Sequence, residues 1–238
     1  MTARRLLLLS SSTVQGAGYL EYYESEIRDF LGSEVKCVLF IPYAGVSKTH
    51  DEYAETVRAR FEAMGYALES VDESPDANQA VKRAEAIAVG GGNTFQLLLS
   101  LYQTGLIESI RSRALQGTPY IGWSAGSNVA CPTIRTTNDM PIVEPPSLNA
   151  LNLVPFQLNP HYIDAHPEGH QGETREQRIA GFIKVNEGVY VVGLREGSTL
   201  RIEGETIRLR GGKPARIFVS RKDAKEYTPG EPLEFLLR

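Results

Sequence analysis

The stretch Pro119-Tyr120-Ile121-Gly122-Trp123-Ser124-Ala125-Gly126 passes from a buried run straight into a helix, and it restricts the chain more than any other segment. A strand that turns this sharply holds its turning residue in a strained conformation, so the flanking positions need little or no side chain. Gly122 and Gly126 meet that demand. The turn lifts the Ser124 hydroxyl out of the sheet edge and points the Ala125 backbone N–H at the oxygen of any carbonyl the serine attacks. Ser124 is therefore the candidate nucleophile, although the same G-x-S-x-G frame also occurs in Gly-rich strand-to-helix turns that do no chemistry.

Ahead of that turn the chain alternates. Residues 5–10 and 35–43 are short, nearly continuous apolar runs, the pattern of strands covered on both faces. Between them Leu20, Tyr23, Ile27, Phe30 and Leu31 recur at helical spacing, with Gly32 as a stop. A second helix is predicted over about 49–64, a strand over 66–71, and a third helix from the Ser74-Pro75 cap-then-proline pair. The fourth apolar run, Ala86–Val89, leads into Gly90-Gly91-Gly92-Asn93-Thr94-Phe95 and a helical Gln96–Gln103. Strand and helix alternating at this spacing predict an α/β fold, a mostly parallel sheet flanked by helices, in one domain over 1–238. Further on, Thr174–Asn186 reads as a helix and Gly188–Leu194 as a strand. The segment 199–220 reads as C-terminal β-hairpin structure with turns at Glu203-Gly204 and Gly211-Gly212.

Several function classes drop out. A net charge of −4 gives no basic footprint for nucleic acid. The start, Met1–Leu9, mimics a signal peptide, but its apolar run is too short for one, and no stretch approaches the length of a membrane span. With 42% hydrophobic and 23% charged residues the chain is not a disordered one. Cys37 and Cys131 lack metal or paired-redox spacing and are expected as reduced thiols in a cytoplasmic protein.

Loops at the carboxyl ends of parallel strands line the ligand crevice of such sheets, and the Gly90–Gly92 loop exposes backbone N–H groups there. A dinucleotide fingerprint would need glycine at Phe95 and a P-loop a Gly-Lys-Ser/Thr, so an oxyanion-hole contribution from Gly91 or Gly92 is the better reading. A serine also needs a base, and histidine suits neutral pH. His50 is expected near a helix start and solvated, while His166 and His170 flank Pro167-Glu168-Gly169. His161 follows the apolar run Val154–Leu158 by three residues, which places it just past a strand end. The histidine in turn needs an acceptor. Asp139 and Glu196 both fit the chain order of known triads, and sequence logic does not separate them. The long polar segment 132–175, which holds Arg135, Asp139, Asn159, His161 and Arg175, is expected to be functional.

Longer segments carry a resemblance. Val89–Leu98, Ile121–Gly126, Cys131–Val143, Asn159-Pro160-His161, Pro167–His170 and Gly172–Arg178 resemble the peptidase E family of α-aspartyl dipeptidases. The likeness runs from the first strand to about Gly197, and the last forty residues match poorly. It implies a three-layer, flavodoxin-like sandwich related to class I glutamine amidotransferases, and a cytoplasmic serine exopeptidase that cleaves Asp-Xaa dipeptides. It places the nucleophile at Ser124 and the base at His161, with the third member at Asp139 or Glu196. Glu196 is favoured, because in this fold the acid follows the strand after the histidine; Asp139 then steers the substrate amino group.

Backbone N–H groups of Gly92 and Ala125 would hold the oxyanion. Selectivity for aspartate asks for a cation that grips a carboxylate in two places, so arginine over lysine. The resemblance puts it at Arg175, with Arg135 in reserve and Asn159 as a further substrate-binding residue. No cofactor and no metal is expected; the partner is a small dipeptide, not nucleic acid or membrane, and monomer and homodimer both stay open. Two other readings remain, an α/β-hydrolase-type esterase that shares the serine turn and a non-catalytic anion-binding module that uses only the glycine loop.

Overall fold

The apolar runs become strands, and the computed structural model describes residues 4–164, 169 and 171–238. In chain order the elements are β1 (Arg5–Leu9), α1 (Glu24–Leu31), β2 (Cys37–Ile41), α2 (His50–Ala63), β3 (Ala67–Ser70), α3 (Ala77–Arg83) and β4 (Ala86–Val89). Next come α4 (Thr94–Gln103), α5 (Leu106–Leu115), β5 (Tyr120–Trp123), α6 (Ala125–Val129), β6 (Gln157–Pro160), α7 (Arg175–Val185) and β7 (Val191–Leu194). The chain finishes with β8 (Ser198–Glu203), β9 (Thr206–Gly211), β10 (Ala215–Phe218) and β11 (Lys225–Tyr227).

The seven-stranded sheet has the order β3-β2-β4-β5-β1-β8-β9. Its first five strands are parallel, and the β8–β9 hairpin closes the β1 edge antiparallel. Four consecutive leucines in β1 are all fully buried because the sheet has a core on each side. Leu6 and Leu8 join Leu97, Ile110 and Val129 on one face, and Leu7 and Leu9 join Ile27, Phe30 and Phe61 on the other. A strand covered on both faces has no polar side to show, hence its unbroken apolar reading.

Three features depart from the sequence expectations. β6 and β7 do not enter the main sheet; they pair in parallel in a second, four-stranded sheet, β11-β10-β7-β6. The third helix begins two residues after the Ser74-Pro75 pair, because Asp76 is the cap and accepts from Gln79 N–H at 3.0 Å. α5 carries no sequence forewarning: its N-cap is Gly105 in the left-handed region, with no side-chain capping bond. Among the described residues no helix is long and apolar enough to cross a membrane.

Register aligns the carboxyl ends of five strands. Leu9 pairs with Trp123, Val89 with Gly122, and Pro160 with Leu194. Ser10, the Gly90–Gly92 loop, Ser124, His161 and Glu196 therefore all follow directly on the carboxyl ends of their strands, the general position of ligand sites in such sheets.

Candidate active site

Ser124 caps α6 with φ 53° and ψ −112°, the strained turn its sequence demanded. Side chains on either side are impossible without rebuilding: a Cβ on Gly122 would stand 2.5 Å from the Gly126 carbonyl oxygen, and one on Gly126 would stand 2.1 Å from that of Val89. Hydrogen bonds lock the turn to its neighbours. Ser124 N–H donates to the Leu9 carbonyl at 3.2 Å, and the Ser127 hydroxyl lies 2.7 Å from the Leu9 carbonyl and 2.8 Å from that of Gly122.

His161 follows β6, also at φ 53°. Its Nε2 lies 2.9 Å from Ser124 Oγ and its Nδ1 2.7 Å from Glu196 Oε1. The tautomer consistent with both contacts carries the proton on Nδ1, given to the carboxylate, and leaves Nε2 to accept from the serine hydroxyl. Ser10 fixes the backbone beneath the ring: its hydroxyl accepts from His161 N–H at 2.9 Å and donates to the Leu194 carbonyl at 2.7 Å. Because β6 and β7 are parallel neighbours, the residues just past their ends meet, which brings Glu196 to His161.

Asp139 lies elsewhere. Its Oδ2 accepts from Thr94 N–H at 2.7 Å and from the Thr94 hydroxyl at 2.5 Å, at the amino end of α4. A carboxylate at a helix N-terminus is stabilised by the unpaired N–H groups there, and this one is committed to them rather than to the imidazole. Asp139 thus lines the cavity beside Ser124 without reaching the imidazole, and Glu196, the favoured acid, is the carboxylate at the histidine.

The Gly90–Gly92 loop faces the serine from β4. Gly92 adopts φ +141°, and a Cβ there would come within 2.1 Å of the Ala44 carbonyl oxygen, so only glycine fits. The N–H groups of Gly92 and Ala125 donate to no described residue. A buried set of aromatic groups backs the loop: Tyr53 hydroxyl donates to the Gly91 carbonyl at 2.9 Å while accepting from Trp123 Nε1 at 3.1 Å and from the Tyr19 hydroxyl at 3.1 Å. Sequence reading missed these phenols, since Tyr53 fits the apolar stripe of α2 and nothing in that periodicity shows where its hydroxyl goes.

Two cavities meet at the serine. One, of about 180 Å3, is walled by Thr94, Ala125, Asn128, Asp139 and Arg175. The other, of about 250 Å3, is walled by Tyr19, Val46, Lys48, Tyr53 and Gly92. Ser124 and His161 line both. A larger depression of about 630 Å3, between α5 and the loop after α6, contains none of the candidate residues and no nucleophile paired with a base.

Arg175 is the first residue of α7, behind the Thr174 capping box, in which Gln177 N–H donates to Thr174 Oγ1 at 3.1 Å and Thr174 N–H to Gln177 Oε1 at 2.8 Å. Burial pushes its guanidinium below the ordinary arginine value, with the neighbouring charge of Arg178 acting the same way. Glu176, one of the two carboxylates beside it in sequence, instead pairs with Arg216 at 2.9 Å. Arg135 is outside both cavities: it is exposed, with its guanidinium carbon 5.5 Å from the centroid of the Phe182 ring, and the reserve assignment as a substrate clamp is corrected to a surface stacking role. Asn159 is corrected too. It is 3% exposed and lines neither cavity; its Nδ2 donates to the Thr136 carbonyl at 2.8 Å and to Asn138 Oδ1 at 2.7 Å, so it supports Asn138 from behind. His50 stands at the start of α2, its Nδ1 2.7 Å from Asp72 Oδ2. His166 and His170 lie outside the described residues.

The model of peptidase family S51 matches residues 6–210. A protein of Nostoc sp. named peptidase E is 52% identical over 235 residues, covering 99% of this chain and 97% of its own length. A Drosophila melanogaster protein named probable alpha-aspartyl dipeptidase is 48% identical over 242 residues, with 100% and 99% covered. The alignments to these two relatives run through the last forty residues, whereas the family model stops at residue 210. Among solved structures, a putative peptidase E protein from Listeria monocytogenes aligns at a TM-score of 0.68 with 25% identity, covering 88% of this chain and 99% of that one.

Proposed function

The chain belongs to peptidase family S51, and on that footing we propose that it is a serine dipeptidase that hydrolyses dipeptides after an N-terminal aspartate. The observation that carries the reading is the continuous relay from Glu196 through His161 to Ser124, at 2.7 and 2.9 Å, with two unengaged backbone N–H groups beside it. In this mechanism His161 Nε2 takes the hydroxyl proton as Ser124 Oγ attacks the scissile carbonyl, and Glu196 holds the ring in the required tautomer. The carbonyl oxygen becomes an oxyanion between Gly92 and Ala125 N–H, each such donor contributing about 3–4 kcal/mol. The tetrahedral adduct then collapses. His161 returns the proton to the departing nitrogen, an aspartyl ester stays on Ser124, and water activated by the same imidazole releases aspartate.

The roles in the smaller cavity follow from charge. Arg175 is a rigid two-pronged donor suited to the β-carboxylate, and Asp139, already fixed by Thr94, offers its remaining oxygen to the α-ammonium. The two unpaired cysteines support a cytoplasmic setting. A hydrolysis assay with Asp-Leu, Asn-Leu and a short-chain ester tests the whole reading. Asp-Leu is expected to be cleaved well above both others; preference for the ester would replace the dipeptidase by an esterase, and no turnover of any would leave an anion-binding module.

A further inference from the structure

Ser124 and His161 stand on the partition between two cavities, and the charges on its two sides differ. Among the described residues the Arg175 side has one cation and one carboxylate, Asp139. That pattern complements an aspartyl residue, which presents a β-carboxylate and an α-ammonium. On the other side Lys48 is the single charged side chain among the described lining residues, and no described carboxylate lines the wall. The second residue of a dipeptide carries one charge of the opposite sign, its free α-carboxylate.

We propose that the cavity of about 250 Å3 is the binding site for the departing amino acid, and that the Lys48 ammonium pairs with its α-carboxylate. The inference rests on the reading of the chain as an Asp-Xaa dipeptidase. Attack at the carbonyl between the two residues puts the acyl half and the departing half on opposite sides of Ser124, and His161 must face the departing nitrogen to return its proton. The Tyr19 and Tyr53 rings and Val46 supply apolar wall for the second side chain.

Position and residue type suit the task. Lys48 lies in the exposed loop between β2 and α2, whose end is pinned by the Thr49 capping box, with Glu52 N–H donating to Thr49 Oγ1 at 3.2 Å and Thr49 N–H to Glu52 Oε2 at 2.9 Å. A flexible lysine reaches a carboxylate whose place shifts with the size of the second residue, whereas the fixed aspartate on the other side suits arginine. A third residue would replace that carboxylate by a neutral peptide bond. Lys48 thus makes the second residue the last one.

Steady-state kinetics on Asp-Leu and on its carboxamide, aspartyl-leucinamide, decide the matter with wild type, Lys48→Met and Lys48→Arg. Wild type is expected to favour the free carboxylate by about tenfold in kcat/KM, the scale of one charge-assisted hydrogen bond. Lys48→Met removes that preference by raising KM for Asp-Leu while leaving the amide unchanged, and Lys48→Arg restores most of it. A carboxylate-to-amide ratio that is the same in wild type and Lys48→Met overturns the assignment, as does an equal fall on both substrates. The control is internal: failure of wild type to cleave Asp-Leu would sink the dipeptidase reading itself, while cleavage with an unmoved ratio would sink only the role of Lys48.

Discussion

The Tyr53 hydroxyl donates to the carbonyl of Gly91, and that carbonyl belongs to the same rigid peptide unit as the N–H of Gly92. Holding one end of the unit aims the other. Between two glycines the peptide plane would otherwise rotate easily, so the phenol decides whether Gly92 N–H faces the serine. Tyr53→Phe keeps the ring in its edge contact with Phe40, at a centroid distance of 5.1 Å, and removes the anchor together with the acceptor of Trp123 Nε1 and the Tyr19 hydroxyl. We predict a fall in kcat of roughly tenfold, below the 10²–10³ that follows outright loss of an oxyanion donor, with KM for Asp-Leu nearly unchanged. A fall confined to KM would reject the aiming role.

Glu196→Gln is predicted to lower kcat by about 10⁴-fold, because an amide no longer enforces the tautomer that leaves Nε2 to accept. Asp139→Asn is predicted to raise KM with a far smaller effect on kcat. The reverse pattern in steady-state kinetics would exchange the two carboxylates.

Arg175→Met keeps the apolar stem and removes the fork. Breaking one side of a buried charge pair costs about 3–5 kcal/mol, so kcat/KM for Asp-Leu is predicted to fall by 10²–10³ or more. Turnover of Asn-Leu should hardly change. Arg135→Ala, at the surface, should leave both substrates alone, and an equal loss on both from Arg175→Met would make Arg175 structural.

Acid sensitivity has a named source in the smaller sheet. Hydrogen bonds from Arg195 hold the carboxyls of Asp164 and Glu226 below their ordinary values, at distances of 2.8–2.9 Å. A depressed native value means the stabilisation is complete above the ordinary carboxylate range and is lost as pH falls through that range to the depressed values. Melting temperature is predicted to drop below about pH 4 and to drop less steeply in Arg195→Met. Parallel curves for the two proteins would show that the acid step lies elsewhere.

Strain at Ser124 separates two inactive variants. Alanine keeps the positive φ and its steric penalty; glycine relieves it, against a smaller gain in unfolded-chain freedom. Both are predicted to be inactive, with Ser124→Gly melting about 2–4 °C above Ser124→Ala, the shift expected of roughly 1 kcal/mol in a chain of this size. Equal melting temperatures would mean the turn is not strained.

What the sequence disclosed depended on whether a local pattern reported it. Ser124 and the Gly90–Gly92 loop were legible because a strand running into glycines and then a helix states its geometry within ten residues. Choosing Glu196 over Asp139 needed the knowledge that β6 lies beside β7, a long-range pairing that no local spacing carries. The same pairing is why the second sheet was not foreseen. Asn159 and Arg135 lie in the same polar segment as His161, yet one is buried behind the wall and the other stacks on Phe182, because residue type within a segment does not say which way a side chain faces. The start of α5 was silent because Gly105 caps it by backbone conformation alone.

Ser124 hangs from the large sheet, while His161 and Glu196 hang from the small one, and the Ser10 hydroxyl ties β1 to both Leu194 and His161 across the division. The order of synthesis then acquires a meaning. In a growing chain Ser124 leaves the ribosome before His161 and Glu196, the residues that would arm it. Until Glu196 has been made and its strand docked, the serine is an ordinary alcohol. Hydrolytic competence is thereby withheld until nearly the whole polypeptide is in place.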